Sequence, residues 1–372
     1  MVRGRERRLA AATTTMAMPM VAVALVAIVT AVAGIDARAT YGARVTADEP
    51  QYLITAISLG EDFSLDVSDE LAEERFLPFH EIPLNPQTID LDDQGRRVSP
   101  HDPLLPLLLA LPMLLGGWVG AKLALALCAG FVAALTLRLA VDRLGAPLGP
   151  ASAIVAGFAA APPFSTYGVQ VYPAMPAALC VLGGVLALTA TPAVAPEPKG
   201  SPSVVSSRRF SSLGAIDRST VAIVLSVVAL PWLSVKYVPM AAVVALAGLW
   251  RGWQRNRALP TGILVVYAIA GVTYLGMHQW LYGGWTVYAA GDHFVDGEFL
   301  VVGSDPDYPA RTRRLIGLLV DRGFGLAAWN PVFIALPAAL VWLARSGRPG
   351  RYILPAVFAA GWATATWVAL TM

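Results

Sequence analysis

The sequence predicts an all-α, multi-pass membrane protein, and three observations carry that prediction. Hydrophobic residues make up 56% of the 372 positions and charged residues only 14%, a balance too apolar for a water-soluble domain. Several runs approach the roughly 20 apolar residues that cross a bilayer core. Basic and acidic residues are also sorted into alternate connecting segments, the charge pattern of a threaded membrane protein. The net charge of +2 is uninformative about partners, and nothing in the pattern points to nucleic acid. Cys128 and Cys180 fall in predicted spans without disulfide or metal spacing and read as small core residues.

The first span is Met16 to Gly34. Its apolar run exceeds a signal-peptide core and more spans follow, so it reads as a retained helix. Further spans are expected near 118–140, 150–166, 173–191, 219–235, 236–250, 260–281, 326–344 and 352–371, nine in all, within one transmembrane domain over 16–372. Arg3, Arg5, Arg7 and Arg8 place the N-terminal segment 1–15 in the cytoplasm of an integral plasma-membrane protein. On that threading the inside segments carry Arg138, Arg143, Lys199, Arg208, Arg209, Arg218, Arg251, Arg255, Arg257, Arg345, Arg348 and Arg351. The outside segments include two extracytoplasmic loops, 35–117 and 282–325, and hold about 20 of the 25 acids. Residues 191–219, rich in Pro and Ser, read as a disordered cytoplasmic linker with no core to bury. No internal repeat suggests a paired-repeat transporter.

The first outside loop opens on Asp48-Glu49-Pro50-Gln51. Asp at the cap, Pro in the first turn and Gln three residues on spell a helix start. The helix should run through Leu59 and end at Gly60, apolar enough to lie at the membrane surface or against the spans. Asp48 is then either an N-cap or a general base facing a cavity at the membrane boundary; Glu49 has a similar dipole explanation. Farther on, alternation around Asp92-Asp93-Gln94-Gly95 predicts a small β-hairpin between Thr88–Leu91 and Arg97-Val98, with the two acids as turn formers. Ser99-Pro100-His101-Asp102-Pro103 leads into Leu104–Leu115, a Pro-broken apolar run set off by Gly116-Gly117 and expected to be an interfacial helix. His101 and Asp102 sit at its mouth, as helix caps or as site residues.

Ala47-Asp48-Glu49-Pro50-Gln51-Tyr52-Leu53 and Ser99-Pro100-His101-Asp102-Pro103-Leu104 together resemble the GT-C class of integral-membrane glycosyltransferases, and in particular actinobacterial-type members with an Asp-Glu-Pro start to the first outside loop. Gln170-Val171-Tyr172-Pro173-Ala174, Trp232-Leu233-Ser234-Val235-Lys236-Tyr237 and Arg322-Gly323-Phe324-Gly325 fit the same pattern, so the resemblance covers roughly residues 40–340. It implies a GT-C-like helical bundle, a polyprenyl-phosphate-linked sugar as donor, and an extracytoplasmic glycan, lipid or protein as acceptor. It also implies a carboxylate in the first loop that takes the acceptor's proton, with Asp48 the first choice and Glu49 the second. The chain departs from the pattern at Ala174, where an acid is expected. The last span closes at Met372 without a tail, as a short member or a fragment would.

A departing lipid phosphate needs positive charge near the outer boundary. Lys236, at the outward tip of a helical hairpin, is the first candidate, its alternative being a snorkel to lipid headgroups. Arg313, Arg314 and Arg322 are outside positives that run against the sidedness trend and could meet anionic headgroups or phosphate; Arg322 could instead pair with Asp321 or Asp292. Tyr52, Tyr172, Tyr237, His101, Asp102, Asp292 and His293 complete the candidate substrate-binding set. Trp285 suits an interfacial aromatic belt, and His278 reads as a hydrogen-bonded core residue. No cofactor is expected: there is no metal constellation, P-loop, Ser/His/Asp arrangement or soluble nucleotide-binding domain, and a divalent ion beside Asp48 or Glu49 is compatible but not indicated. Two other functions fit the composition: a transporter or flippase built on Pro-broken helices, and a noncatalytic homologue that binds lipid-linked sugar.

Overall fold

The computed structural model describes residues 2–91, 95–190, 217–287, 289–290, 308–323 and 325–371. The chain is mostly helical. In order it forms α1 (Val2–Ala33), α2 (Glu49–Glu61), α3 (Ser68–Ala72), a two-stranded antiparallel hairpin of β1 (Ile89–Asp90) and β2 (Arg97–Val98), α4 (Leu104–Asp142), α5 (Leu148–Ala160), α6 (Phe164–Tyr167), α7 (Ala174–Leu188), α8 (Arg218–Leu233), α9 (Val238–Arg255), α10 (Leu259–Tyr282), α11 (Tyr308–Arg311), α12 (Arg313–Val320), α13 (Leu326–Trp329), α14 (Leu336–Arg345) and α15 (Ile353–Thr371).

Among the described residues, 4 helical segments are long and apolar enough to cross a membrane: Met16–Ala33, Leu104–Asp142, Leu259–Tyr282 and Ile353–Leu370. Shorter apolar helices occupy Leu148–Ala160, Ala174–Leu188, Arg218–Leu233 and Pro331–Arg345. Every expected span therefore contains helix, but two are interrupted. The 150–166 segment stops at Ala160 before the Pro162-Pro163 pair. The 326–344 segment breaks into α13, a 3-10 turn at Pro331–Ala335, and α14, because Pro331 and Pro337 each remove a backbone donor.

Small residues set the helix spacing. α1 presents Ala27 and Ala31, fully buried, to Ala126, Ala133 and Gly130 of α4. A Cβ on Gly130 would lie 2.8 Å from the Ile28 side chain, so the two backbones approach as small-residue membrane interfaces do. Larger aliphatic side chains point outward instead, among them Leu111 and Leu115 on α4 and Val265, Ile269 and Val272 on α10. Such faces suit lipid rather than water.

The expected boundary at Gly116-Gly117 is present as a kink within α4: Gly117 has φ 58 and ψ −155, a region that residues with a Cβ avoid. The expected stop of α2 at Gly60 is not observed. α2 continues to Glu61 and is capped by Asp62, and Gly60 instead lets the helix press on α4, where a Cβ would meet the Ala110 carbonyl at 3.1 Å. Nor is α2 a surface helix. Glu49 through Ser58 are all buried, and Leu53 and Ile54 join Leu105, Leu109, Leu125, Val171, Leu230 and Leu233 in the main core. That core lies under the head of α2 and holds the first loop against α4, α7 and α8.

At the opposite end of these helices basic residues gather. Arg251 donates to the Leu188 and Ala190 carbonyls, Arg255 pairs with Asp217, and Arg348 reaches Gly145. Asp217 caps α8 by accepting from the Thr220 amide at 2.8 Å. The rest of the expected linker, 191–216, lies outside the described residues, as do Asp92, Asp93, Asp292, His293 and the second-loop segment 291–307.

Candidate active site

The chain enters α2 through Ala47, a residue with a Cβ at φ 54, a left-handed conformation that costs about 1–2 kcal/mol. The turn places two neighbouring carboxylates in different surroundings. Glu49 points inward and is 4% exposed. Its Oε2 accepts from the Thr46 amide at 3.0 Å and its Oε1 from the Val171 amide at 2.8 Å. Burial pushes its carboxyl above the ordinary range, opposed by those two N–H groups and by Lys122. Lys122 is itself buried and donates to the Ile35 and Arg44 carbonyls. Glu49 thus clamps the first loop to the segment before α7.

Asp48 is different. It occupies the N-cap position of α2 with helical φ −79 and ψ −16, and its side chain makes no capping hydrogen bond. The sequence-based cap and capping box are not formed; reversed, it is the Glu49 carboxylate that accepts the Thr46 amide before the helix. The Asp48 side chain is 38% exposed, with His101 Nε2 at 3.9 Å. Around it stand Tyr52, whose ring centroid lies 4.8 Å from that of His101, and Tyr172, edge-on to Tyr52 at 6.4 Å and hydrogen-bonded to the Asp48 backbone.

His101 Nε2 lies 3.0 Å from Gln87 Oε1, an acceptor, so that nitrogen carries the proton. Burial lowers the His101 pKa, opposed by the Asp48 and Asp102 carboxylates. Asp102 does not cap α4, whose N-cap is Pro103. Its Oδ1 accepts the Tyr274 hydroxyl at 2.7 Å and its Oδ2 accepts the Val235 amide at 3.2 Å. One carboxylate therefore fixes α10 and the 3-10 turn Val235–Tyr237 that joins α8 to α9. Lys236 is the middle residue of that turn. It is exposed, its Nζ stands 5.4 Å from the centre of the Tyr237 ring, and its charge is felt with those of Asp48 and Asp102.

Six of the expected residues therefore converge: Asp48, Tyr52, His101, Asp102, Tyr172 and Lys236, with Tyr237 beneath the last. The arginines do not join them in any described contact. Arg314 donates to the Ala369 carbonyl at the end of α15, a helix terminus that favours positive charge. Arg313 and Arg322 are exposed on α12 and the turn after it. Trp285 is exposed, as an interfacial aromatic would be.

Tyr274, His278 and Gln87 were not legible as site residues. Tyr274, His278 and Tyr282 recur every fourth position on α10 and touch in sequence, tilted and then edge to face, with centroids 4.7 and 5.3 Å apart. That spacing was the available signal. His278 is not the hydrogen-bonded core residue expected: among the described residues both buried ring nitrogens have no hydrogen-bond partner, Nε2 being 3.8 Å from Asp102.

A cavity of about 790 Å³ borders the group on its far side, lined by Pro103, Leu104, Leu107, Trp232, Trp280 and Tyr282 with Asp90 and Arg96 at its polar edge. Asp48 and Lys236 are not among its lining residues. Chemically, the site offers one solvent-reachable carboxylate, a neighbouring ammonium group and a ring-lined wall, next to a mostly apolar hollow.

No family model matches this chain, and neither a curated protein nor a solved structure matches it.

Proposed function

We propose that this protein is a membrane glycosyltransferase of GT-C type, moving a sugar from a polyprenyl-phosphate donor to an extracytoplasmic glycan, lipid or protein acceptor. The observation that carries the reading is the unused Asp48 carboxylate. It forgoes the helix cap that its position offers and remains open to solvent beside His101, within electrostatic reach of Lys236. In the proposed step Asp48 takes the acceptor's hydroxyl proton and the acceptor oxygen bonds to the anomeric carbon. The bond from that carbon to the phosphate oxygen breaks, and the lipid phosphate leaves with the electron pair, steadied by Lys236. Asp102 is a positioning residue, since it holds the turn that carries Lys236. Tyr52, Tyr172 and His101 line the acceptor side, and the bordering cavity would take part of the lipid. Glu49, with both oxygens engaged by amides, serves the fold rather than the proton transfer.

The reading includes nine spans, a cytoplasmic N-terminus and both large loops outside, supported by the separation of the Arg251–Arg255–Arg348 end from the Asp48 end. Ala174 favours a second reading. It is the first residue of α7, two positions from Tyr172, and a missing acid there suits a homologue that binds lipid-linked sugar without transferring it.

Labelled polyprenyl-phosphate sugars supplied to the purified chain in lipid vesicles separate the readings. Transfer to an acceptor with inversion at the anomeric carbon is expected. Saturable donor binding with no product, and no dependence on Asp48, would replace the enzyme with the binding homologue.

A further inference from the structure

At the end of the helices opposite Asp48, separate segments bring arginines together. Arg143 caps the end of α4, Arg251 lies near the end of α9, and Arg348 sits in the loop between α14 and α15. Contacts close them into a ring. A Cβ on Gly145 would lie 2.5 Å from Arg348 Nη1, and a Cβ on Gly350 would lie 3.1 Å from the Thr189 side chain. Thr189 stands between Leu188 and Ala190, whose carbonyls accept from the two Nη groups of Arg251. Arg251 is in turn within electrostatic reach of Arg143, Arg255 and Asp217. The nearby acids are committed elsewhere: Asp217 pairs with Arg255, and Asp142 pairs with Arg138 at 3.4 Å. Among the described residues no carboxylate pairs with Arg143, Arg251 or Arg348. The buried Nε of both Arg143 and Arg251 also has no hydrogen-bond partner among the described residues. Sorting of charge across a membrane asks only for basic residues near one boundary, where water solvates them. It does not ask for guanidinium nitrogens out of water, a cost that is offset when an anion meets the rest of the group.

We propose that Arg143, Arg251 and Arg348 hold the phosphate of an anionic phospholipid from the surrounding bilayer. Guanidinium groups match phosphate oxygens with paired N–H donors, and basic pockets between membrane helices bind such headgroups. The level of the cluster favours a lipid over a free anion. Trp250 and Trp253 on α9 and Trp342 on α14 are all exposed, as tryptophans at a headgroup boundary are. Arg348 lies over the Trp342 ring, 5.3 Å from its centre, which ties the basic ring to that boundary. The adjoining chain supplies no surplus of negative charge: residues 191–216 hold Lys199, Arg208 and Arg209 against the single acid Glu197. The inference rests on the membrane reading of the helices and is independent of sugar transfer.

The full chain, purified in neutral detergent, is titrated with dioctanoyl phosphatidylglycerol, dioctanoyl phosphatidylcholine and inorganic phosphate, followed by native mass spectrometry and thermal unfolding. Wild type should retain one phosphatidylglycerol and unfold at a higher temperature, with no such effect from phosphatidylcholine. Arg143→Gln and Arg348→Gln should each bind phosphatidylglycerol about fivefold more weakly. They lie on separate segments, so one remains informative where the other fails to fold. Arg257→Gln, which removes an exposed charge that lies over Trp253 outside the ring, should bind as wild type does. Failure to retain phosphatidylglycerol, or equal retention of phosphatidylcholine, would overturn the proposal. So would full affinity in both ring variants, or an equal loss in Arg257→Gln, which would reduce the effect to diffuse attraction. Inorganic phosphate stabilising as strongly as the lipid at equal concentration would overturn the assignment to a lipid.

Discussion

Asp48 keeps its carboxylate out of the hydrogen bonding of α2, whereas Glu49, one residue later, gives both oxygens to backbone amides. Substitutions should separate the two. Asp48→Asn is expected to leave unfolding unchanged within about 0.5 kcal/mol, as an exposed, non-capping position should. Glu49→Gln turns one acceptor into an NH₂ facing an amide donor, and should destabilise by about 1–3 kcal/mol in denaturant unfolding. His101 adds a pH dependence. Its pKa falls below the ordinary 6.5 because burial disfavours the cation. The unfolded chain therefore takes up the proton first, so this residue's contribution to stability is complete above about pH 6.5 and is lost as pH falls through and below it. Unfolding of wild type against His101→Gln from pH 5 to 8 should show a constant difference above about pH 6.5 and a loss of wild-type stability relative to the variant as pH falls below it. Of these properties the sequence made the residue types and the helix start legible. It could not show that Glu49 reaches Val171, a partner 122 residues away, nor that Asp102 meets Tyr274 at a separation of 172. Capping is a local rule, and both contacts are made by tertiary packing.

Elements were legible where the local pattern was complete. The hairpin pairs Ile89 with Val98 and Asp90 with Arg97, as alternation around a glycine turn requires. The kink falls at Gly116-Gly117, and the 3-10 tip carries Lys236 between two apolar helices. Gly60 misled because a glycine in a helix can mark a close crossing as well as an end; its neighbour is the Ala110 carbonyl, on an element far along the chain. The same reasoning marks the α1–α4 crossing as sensitive. Gly130→Val would drive a side chain into Ile28 and should cost about 1–3 kcal/mol, read as reduced thermal stability of the purified chain. The contrast with α10 is instructive: Gly271 has open space around it, and Gly271→Ala should be tolerated.

For the molecule as a whole, the sequence reading expects basic residues on one side and acids on the other, and among the described residues several arginines gather at one end of the helices. Arg251, Arg255, Asp217 and Arg348 lie together at one end; Arg38, Arg44 and Glu81 form a network in the first loop. The proposed orientation predicts that an impermeant maleimide added to intact cells labels Tyr41→Cys, whose parent is 94% exposed, and spares Gln254→Cys at the end of α9. The reverse labelling would turn the protein over in the membrane and remove any extracytoplasmic acceptor. The central claim is narrower and rests on a single side chain. Its most direct test is sugar transfer from polyprenyl phosphate by wild type and Asp48→Asn, reconstituted side by side with matched unfolding temperatures. Loss of a general base should slow turnover by about 10²–10⁴-fold while donor binding persists. Equal turnover by the two proteins would contradict the account.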